Sequence, residues 1–337
     1  MPHVKSVRAA VIDVGTNSVK LLVADLDSEI RPVLETGIQT RLGQGLYPNR
    51  QLQPEAIART ASAVRLLAER ARQTGASRLK VFATSAAREA LNQEQLVQAL
   101  QAAAQAPVEI ISGTQEAEWA FHGVRTHPQW AAEPIVLVEV GGGSTQFLIG
   151  QSDQIHFRRS YPLGAVRLWE QLSISDPPSP AELATARRQV AEFLESHVRE
   201  PVQRALTLET VWHERHHAPL PVAVGGTATV LARMDLQSDS YDRNLIESVC
   251  LTRARLEARV QQVWSLSLAE RRQLPGLPPE RADLILTGAV IYEQIMHVLG
   301  LEVWRVSTRG LRFAAIQTLR DPDPEPLQRE SLPKPTG

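Results

Sequence analysis

The chain has 337 residues, enough for two domains and two cores at roughly 100–200 residues per domain, so a single small module is excluded. Lysine and arginine total 36 against 37 aspartates and glutamates, a formal net charge of -1, so no global field draws the protein to nucleic acid or to an anionic membrane. Any polyanion must be caught locally.

The apolar stretch from Ala9 to Ile12 is broken at once by Asp13, so no signal peptide is expected, and no run reaches the roughly 20 apolar residues that span a bilayer. The runs "VRAAVID" and "VKLLVADL", joined by a short Gly/Thr/Asn/Ser turn, predict a β-hairpin. After Pro54, Ile57, Ala61, Val64, Leu67 and Ala68 recur at helical spacing, which predicts a helix over 54–73. Strand "LKVFATS", helix "QEQLVQALQAAA", strand "VEIIS" and helix "QEAEWAFHGV" follow, an alternation that predicts α/β architecture. His127, Pro128 and Pro134 interrupt both periodicities, which places a domain boundary near residues 126–134. The first domain is expected over 1–126 and the second over 127–307.

In the second half, a helix is expected from about Pro180 to Leu206, and "PVAVGGTATVLARM" predicts a strand passing through Gly225 and Gly226 into a helix. The segment "RADLILTGAVIYEQIMHVLG" predicts a helix ended at Gly300, and "EVWRVSTRGLRFAAIQTL" a strand, a turn and a helix. Residues 321–337 carry five prolines among polar residues and are expected to be disordered. Cys250 is the only cysteine, which permits no internal disulfide or cysteine-rich metal cluster and fits a reducing cytoplasm.

An internal repeat carries more than any single element. A shift of 126 residues lays "VIDVGTNSVKLLV" over "LVEVGGGSTQFLI", matching Asp13 to Glu139, Gly15 to Gly141, Ser18 to Ser144 and Leu22 to Leu148. Each copy is a strand ending in an acid, a Gly-containing turn and a second strand. Turns draw on few residue types, so two ordinary hairpins would look partly alike. The recurrence of acid and serine in one register points instead to a duplicated domain whose two turns face each other across a cleft.

Gly-rich turns at 13–18, 141–145 and 225–227 offer unpaired backbone amides with little side-chain bulk, a recurrent way of holding phosphate oxygens. None is a P-loop, because the chain contains no Gly-Lys-Ser or Gly-Lys-Thr, and no GxGxxG follows the first strand. Asp13 and Glu139, at matching strand ends, are candidate ligands for Mg²⁺, with Mn²⁺ as an alternative; two bare facing carboxylates repel unless a cation lies between them. The other reading is that each acid only accepts turn N–H bonds. Glu116 and Glu118 are about 200° apart on a helix, so only one can face a cleft. Spacing alone leaves Glu116 open between an active-site acid and a first-turn acid, and Arg88 open between a surface charge and a phosphate fork. His213, His216 and His217 form a tempting cluster, but their proline-flanked setting reads as a solvated loop.

Taken in order, "AVIDVGTNSVKLLVADL", "TRLGQGL", "VFATSAAREALN", "IISGTQEAEWAFHGV", "VEVGGGSTQFLIG", "SYPLGAVRLWE", "VAVGGTATVLA", "RADLILTGAVI" and "VSTRGLRFAAI" resemble the exopolyphosphatase and guanosine pentaphosphate phosphatase family. The resemblance runs from about residue 8 to 316. It implies an α/β fold of two ribonuclease H-like domains of the actin, sugar kinase and Hsp70 superfamily, each with a mixed five-stranded sheet, closing over a cleft. A last helix near 308–320 would pack back on the first domain. The chain resembles the short, two-domain form, which is often a homodimer.

By the same resemblance, Gly15, Thr16, Asn17 and Ser18 form the first phosphate loop, Gly142, Gly143, Ser144 and Thr145 the second, and Gly225, Gly226 and Thr227 a third. Asp13 and Glu139 would hold Mg²⁺. Glu116 matches the catalytic glutamate that activates water, and Arg88 the arginine that pairs with phosphate. The family's second loop usually begins with Asp and ends with Glu, whereas this chain has Glu139 and Gln146. Glutamine neither acts as a base nor binds Mg²⁺ well, so weakened turnover is one expectation. The expected activity is release of terminal phosphate from inorganic polyphosphate; the alternatives are hydrolysis of guanosine pentaphosphate, or regulation by an attenuated protein that binds polyphosphate or an alarmone. A long chain would favour a basic groove, for which Arg41, Arg158, Arg159, Arg167 and Arg309 are candidates.

Overall fold

The computed structural model describes residues 7–212 and 219–320, apart from the side chains of 209–212. The segment 321–337 and His213, His216 and His217 lie outside the described residues.

The first sheet is built from β1 (Val7–Val14), β2 (Ser18–Leu26), β3 (Ile30–Gln39), β4 (Arg78–Ala83) and β5 (Val108–Ile110), in the order β3-β2-β1-β4-β5. β1 and β2 form the expected antiparallel hairpin, while β4 runs parallel to β1. β1 is covered on both faces, so its apolar run is continuous rather than alternating. The edge strand β3 carries Pro32 and a largely exposed face, as an unpaired edge requires. Helix α1 (Pro54–Gln73) lays Val64, Leu67, Ala68 and Ala71 on this sheet, with α2 (Ser85–Glu89) and α3 (Gln93–Ala104) beside it.

Helix α4 (Gly113–Arg125) joins the two sheets. Ala117, Ala120, Phe121 and Val124 pack on the second sheet, whereas Trp119 stands edge-on to Phe82 of β4, ring centroids 5.1 Å apart. The second sheet comprises β6 (Ile135–Val140), β7 (Thr145–Gln151), β8 (Gln154–Tyr161), β9 (Leu220–Val224), β10 (Cys250–Thr252) and β11 (Val303–Ser307), ordered β10-β11-β9-β6-β7-β8. It therefore has six strands rather than five. The extra strand, β10, is three residues long, too short for a period to show.

Helices α5 (Ala165–Gln171), α6 (Pro180–His197), α7 (Arg199–Trp212), α8 (Gly226–Leu236), α9 (Arg243–Ser248), α10 (Arg253–Trp264), α11 (Leu268–Arg271) and α12 (Ile285–Leu299) cover this sheet. The single helix expected over 180–206 is two. Pro201 has no N–H and its ring would strike the carbonyl of residue 197, so the chain breaks at Val198 and restarts with the proline in a first turn. α12 ends at Gly300 as expected, with the glycine left-handed, but starts at Ile285 rather than Arg281. α13 (Leu311–Gln317) crosses back to the first sheet, where Phe313 and Ile316 join Val11 and Leu22. The architecture is two α/β sheets with a cleft between them.

Candidate active site

The two repeated hairpins are built alike and meet. In β1–β2, Asp13 stands opposite Lys20; in β6–β7, Glu139 stands opposite Gln146. The same backbone bond closes both turns: Gly15 N–H donates to the Ser18 carbonyl at 3.0 Å and Gly141 N–H to that of Ser144 at 2.9 Å. Their tips touch. A Cβ on Gly142 would lie 2.8 Å from Cβ of Thr16, so only glycine lets the second turn approach the first this closely.

Between the turns lies a cavity of about 90 Å³. Asp13, Gly15, Thr16, Asn17, Ser18, Glu116, Glu139, Gly142, Gly143, Ser144, Gly226 and Thr227 all line it. Three residues singled out from sequence do not. Thr145 is fully buried and donates to the Leu163 carbonyl at 2.5 Å. Gly225 lines an adjoining chamber of about 310 Å³. Arg88 stands behind the wall, its guanidinium donating to Glu116 Oε2 at 3.0 Å and to the Ile111 carbonyl at 2.8 Å.

Three acids reach this cavity, exposed by only 5% (Asp13), 7% (Glu116) and 8% (Glu139). Glu116 enters from the first turn of α4, whose N-cap hydroxyl Ser112 accepts from Gln115 N–H at 3.1 Å. Its helical neighbour Glu118 points away to Arg158, 2.6 Å distant. Burial pushes Glu116 up to about 7 against the opposing pull of Arg88, and burial raises Asp13. Glu139 is pushed up to about 8, again by burial, with Lys20 opposing. Beside it, the Tyr292 hydroxyl accepts from Val140 N–H at 3.2 Å and donates to the Val224 carbonyl at 2.8 Å, tying the ends of β6 and β9.

Lys20 and Arg281 also line the cavity, and sequence reading missed both. Lys20 had a signal: a lone cation in an apolar strand, seven positions after Asp13 across a tight turn. Arg281 had none. It comes from the turn before α12 and reaches Ser18 Oγ, 3.4 Å away and 263 positions distant in sequence. Ser85, at the start of α2, completes this wall and donates to Glu89 at 2.9 Å.

The donor set suits a hard divalent cation. Glu139 Oε2 is buried without a hydrogen-bond partner, as a carboxylate oxygen reserved for a ligand would be. Among the described residues no group of three or more His, Cys, Asp or Glu is gathered closely enough to hold a metal ion by itself. Two carboxylates are what Mg²⁺ takes when waters and substrate phosphate supply the remaining positions. The arginines proposed for a basic groove are engaged separately. Arg41 pairs with Asp283 at 2.7 Å and Arg167 with Glu89 at 2.6 Å, Arg309 donates to the Thr126 carbonyl at 2.8 Å, and Arg159 lies over the Tyr161 ring.

The Ppx/GppA phosphatase family profile matches residues 21–317. The chain belongs to that family. Exopolyphosphatase 2 of Mycobacterium tuberculosis is 35% identical over 302 residues, covering 87% of this chain and 91% of the relative. Exopolyphosphatase 1 of Mycobacterium leprae is 28% identical over 311 residues, covering 92% and 88%. Among solved structures, the Ppx/GppA enzyme of Aquifex aeolicus superposes with a TM-score of 0.72 at 25% identity, covering 93% of this chain and 99% of that one. An exopolyphosphatase from Cytophaga hutchinsonii shares the fold at a TM-score of 0.81 and 23% identity, covering 93% and 97%. The Ppx/GppA membership makes phosphatase chemistry the frame for this cleft. Among the described residues no helix is long and apolar enough to cross a membrane.

Proposed function

We propose that the chain hydrolyses phosphoanhydride bonds, releasing the terminal phosphate of inorganic polyphosphate. The observation that carries this reading is Glu116: a buried carboxyl with its pKa pushed up to about 7, anchored by Arg88, on the wall of the cavity between two Gly-rich turns. The names of the mycobacterial relatives favour polyphosphate as the substrate.

In this mechanism the two turns supply amides and hydroxyls to the phosphate oxygens, with Thr16, Ser18 and Ser144 on the cavity wall. Glu116, ionised in a substantial fraction at neutral pH, takes a proton from water as its oxygen bonds to phosphorus. The bond from phosphorus to the bridging oxygen breaks, and the shortened chain leaves with that electron pair. Asp13 and Glu139 would hold Mg²⁺ or Mn²⁺, which when bound neutralises charge on the phosphate oxygens. Lys20 and Arg281 line both this cavity and the larger chamber, placing positive charge where the rest of the chain would run.

A second substrate, guanosine pentaphosphate, is favoured by one feature. The adjoining chamber of about 310 Å³ is bordered by Tyr241 as well as by Lys20 and Arg281, an aromatic ring that a nucleoside would use and a bare phosphate chain would not. Phosphate release with Mg²⁺ or Mn²⁺ from long polyphosphate, guanosine pentaphosphate and ATP, with Glu116→Ala as control, tests both readings. Turnover on polyphosphate that vanishes in Glu116→Ala is expected. Binding without release from any substrate would sink the enzyme reading in favour of an attenuated polyphosphate-binding regulator.

A further inference from the structure

The second Gly-rich turn is gripped from behind. The carbonyls of Gly141 and Gly142 accept from the first amides of α5, Ala165 N–H at 2.9 Å and Val166 N–H at 2.8 Å. The Gly143 carbonyl is held by a side chain instead, with Arg167 Nε donating to it at 2.9 Å. The repeat places Thr16 and Asn17 of the first turn where the second has Gly142 and Gly143. There the main chain does the whole task. Gly43 N–H donates to the Thr16 carbonyl at 2.8 Å, and Thr40 and Arg41 N–H to the Asn17 carbonyl at 3.0 and 2.9 Å.

Arg167 is itself fixed from across the cleft. Its Nη2 stands 2.6 Å from both carboxylate oxygens of Glu89, at the end of α2, and its guanidinium lies 4.0 Å from the centre of the Tyr47 ring. The Gly143–Ser144 peptide is trans, so its N–H points opposite to its C=O. The carbonyl turns to Arg167, which is off the cavity wall, so the Ser144 N–H faces the other way, and Ser144 is on the wall. That N–H has no acceptor among the described residues.

We infer that Arg167 is a positioning residue: by holding the Gly143 carbonyl it aims the Ser144 amide at a phosphate oxygen. Without that bond the peptide plane is free to turn and present its carbonyl, whose lone pairs repel phosphate oxygens. The same side chain, through Glu89, ties this direction to the opposite wall. The inference rests on the proposal that the cavity binds a phosphoryl group.

The test reads the amide itself by NMR. In a chain carrying isotope-labelled serine, the Ser144 N–H resonance is the one missing from Ser144→Ala. Orthophosphate with Mg²⁺, at a concentration that calorimetry shows to be saturating, should move that resonance downfield in the parent and slow its exchange with water. Arg167→Met keeps the stem and loses both bonds. In it the response should vanish at saturation, while KM for tripolyphosphate rises roughly tenfold with kcat within about twofold of the parent. Arg167→Lys keeps the charge but lacks Nε, and its ammonium is drawn to Glu89, so it should lose the response and the affinity as well. It also serves should the methionine variant fail to fold.

A phosphate-saturated parent whose Ser144 resonance stays in place would overturn the inference, whatever the variants do. An intact response in Arg167→Met would do the same. Parent-like KM in Arg167→Lys would mean that Arg167 acts by its charge, which also overturns it. In each of these cases a parent that releases phosphate leaves the phosphoryl reading standing. A parent that neither binds orthophosphate nor releases phosphate from any substrate overturns that reading and the inference with it.

Discussion

Arg88 holds Glu116 by one edge of its guanidinium and the Ile111 carbonyl by the other, so the position of the proposed base is set by a strand end as well as by its own helix. Glu116 must be ionised to take a proton, so phosphate release should rise with pH through about 7. Removing Arg88 removes the charge that opposes the effect of burial. In Arg88→Ala the rising limb should move to higher pH and the rate at pH 7 should fall roughly tenfold or more. A profile that keeps its midpoint would refute this coupling.

The same carboxyl predicts a stability effect of definite sign. Its folded value of about 7 lies above the ordinary 4.5, so between those values the folded state binds more protons than the unfolded one and stability falls as pH rises. Glu116→Gln escapes this cost. Without metal, it should be more stable than the parent at pH 8 by at most roughly 3 kcal/mol, seen as a higher melting temperature, and should converge with it near pH 4. Thermal melts in EDTA at the two pH values decide it; a gap that is the same at both would count against the assignment.

Gly225 adopts φ +92, and a Cβ there would sit 2.9 Å from Glu139 Oε1. Gly225→Ala should therefore push the carboxylate out of place as well as strain the backbone. We expect a loss of roughly a hundredfold in phosphate release and about 1–3 kcal/mol in stability. Urea unfolding beside the kinetic assay separates the two, and full activity in a folded variant would show that Glu139 tolerates displacement.

Glu139→Gln keeps the shape of the side chain and removes its charge. The Mg²⁺ concentration for half-maximal phosphate release should rise at least about tenfold, and calorimetry with Mg²⁺ should show matching weaker binding. If Mg²⁺ affinity is unchanged, the cation does not use Glu139. Glu139→Asp, which restores the shorter acid usual in the family, should retain turnover.

Much of this cleft was legible in the sequence because its parts are local. The repeat brought Asp13 and Glu139 to equivalent places, and the two turns close with the same Gly-to-Ser backbone bond that their shared register implies. Helical geometry allowed only one of Glu116 and Glu118 into the cleft, and the structure turns Glu118 to Arg158. What was missed depends on contacts between distant segments or on very short ones. Arg281 reaches Ser18 only because α12 starts four residues late, leaving Arg281 in a turn. β10 is too brief to signal itself, and the break before α7 turns on Pro201 falling where a helix cannot carry it. The engagement of Arg41, Arg167 and Arg309 was equally hidden, since each partner comes from a remote part of the chain.

Lys20 and Gln146 occupy the same place in the two copies of the hairpin, each across the ladder from an acid. The two hairpins are alike in register and turn closure, and these two side chains break the likeness. On one side the acid faces an ammonium that opens onto the larger chamber; on the other it faces an uncharged amide closed in by Ser160. The broken likeness makes the cleft polar across its width, cationic toward the larger chamber and uncharged beside Glu139.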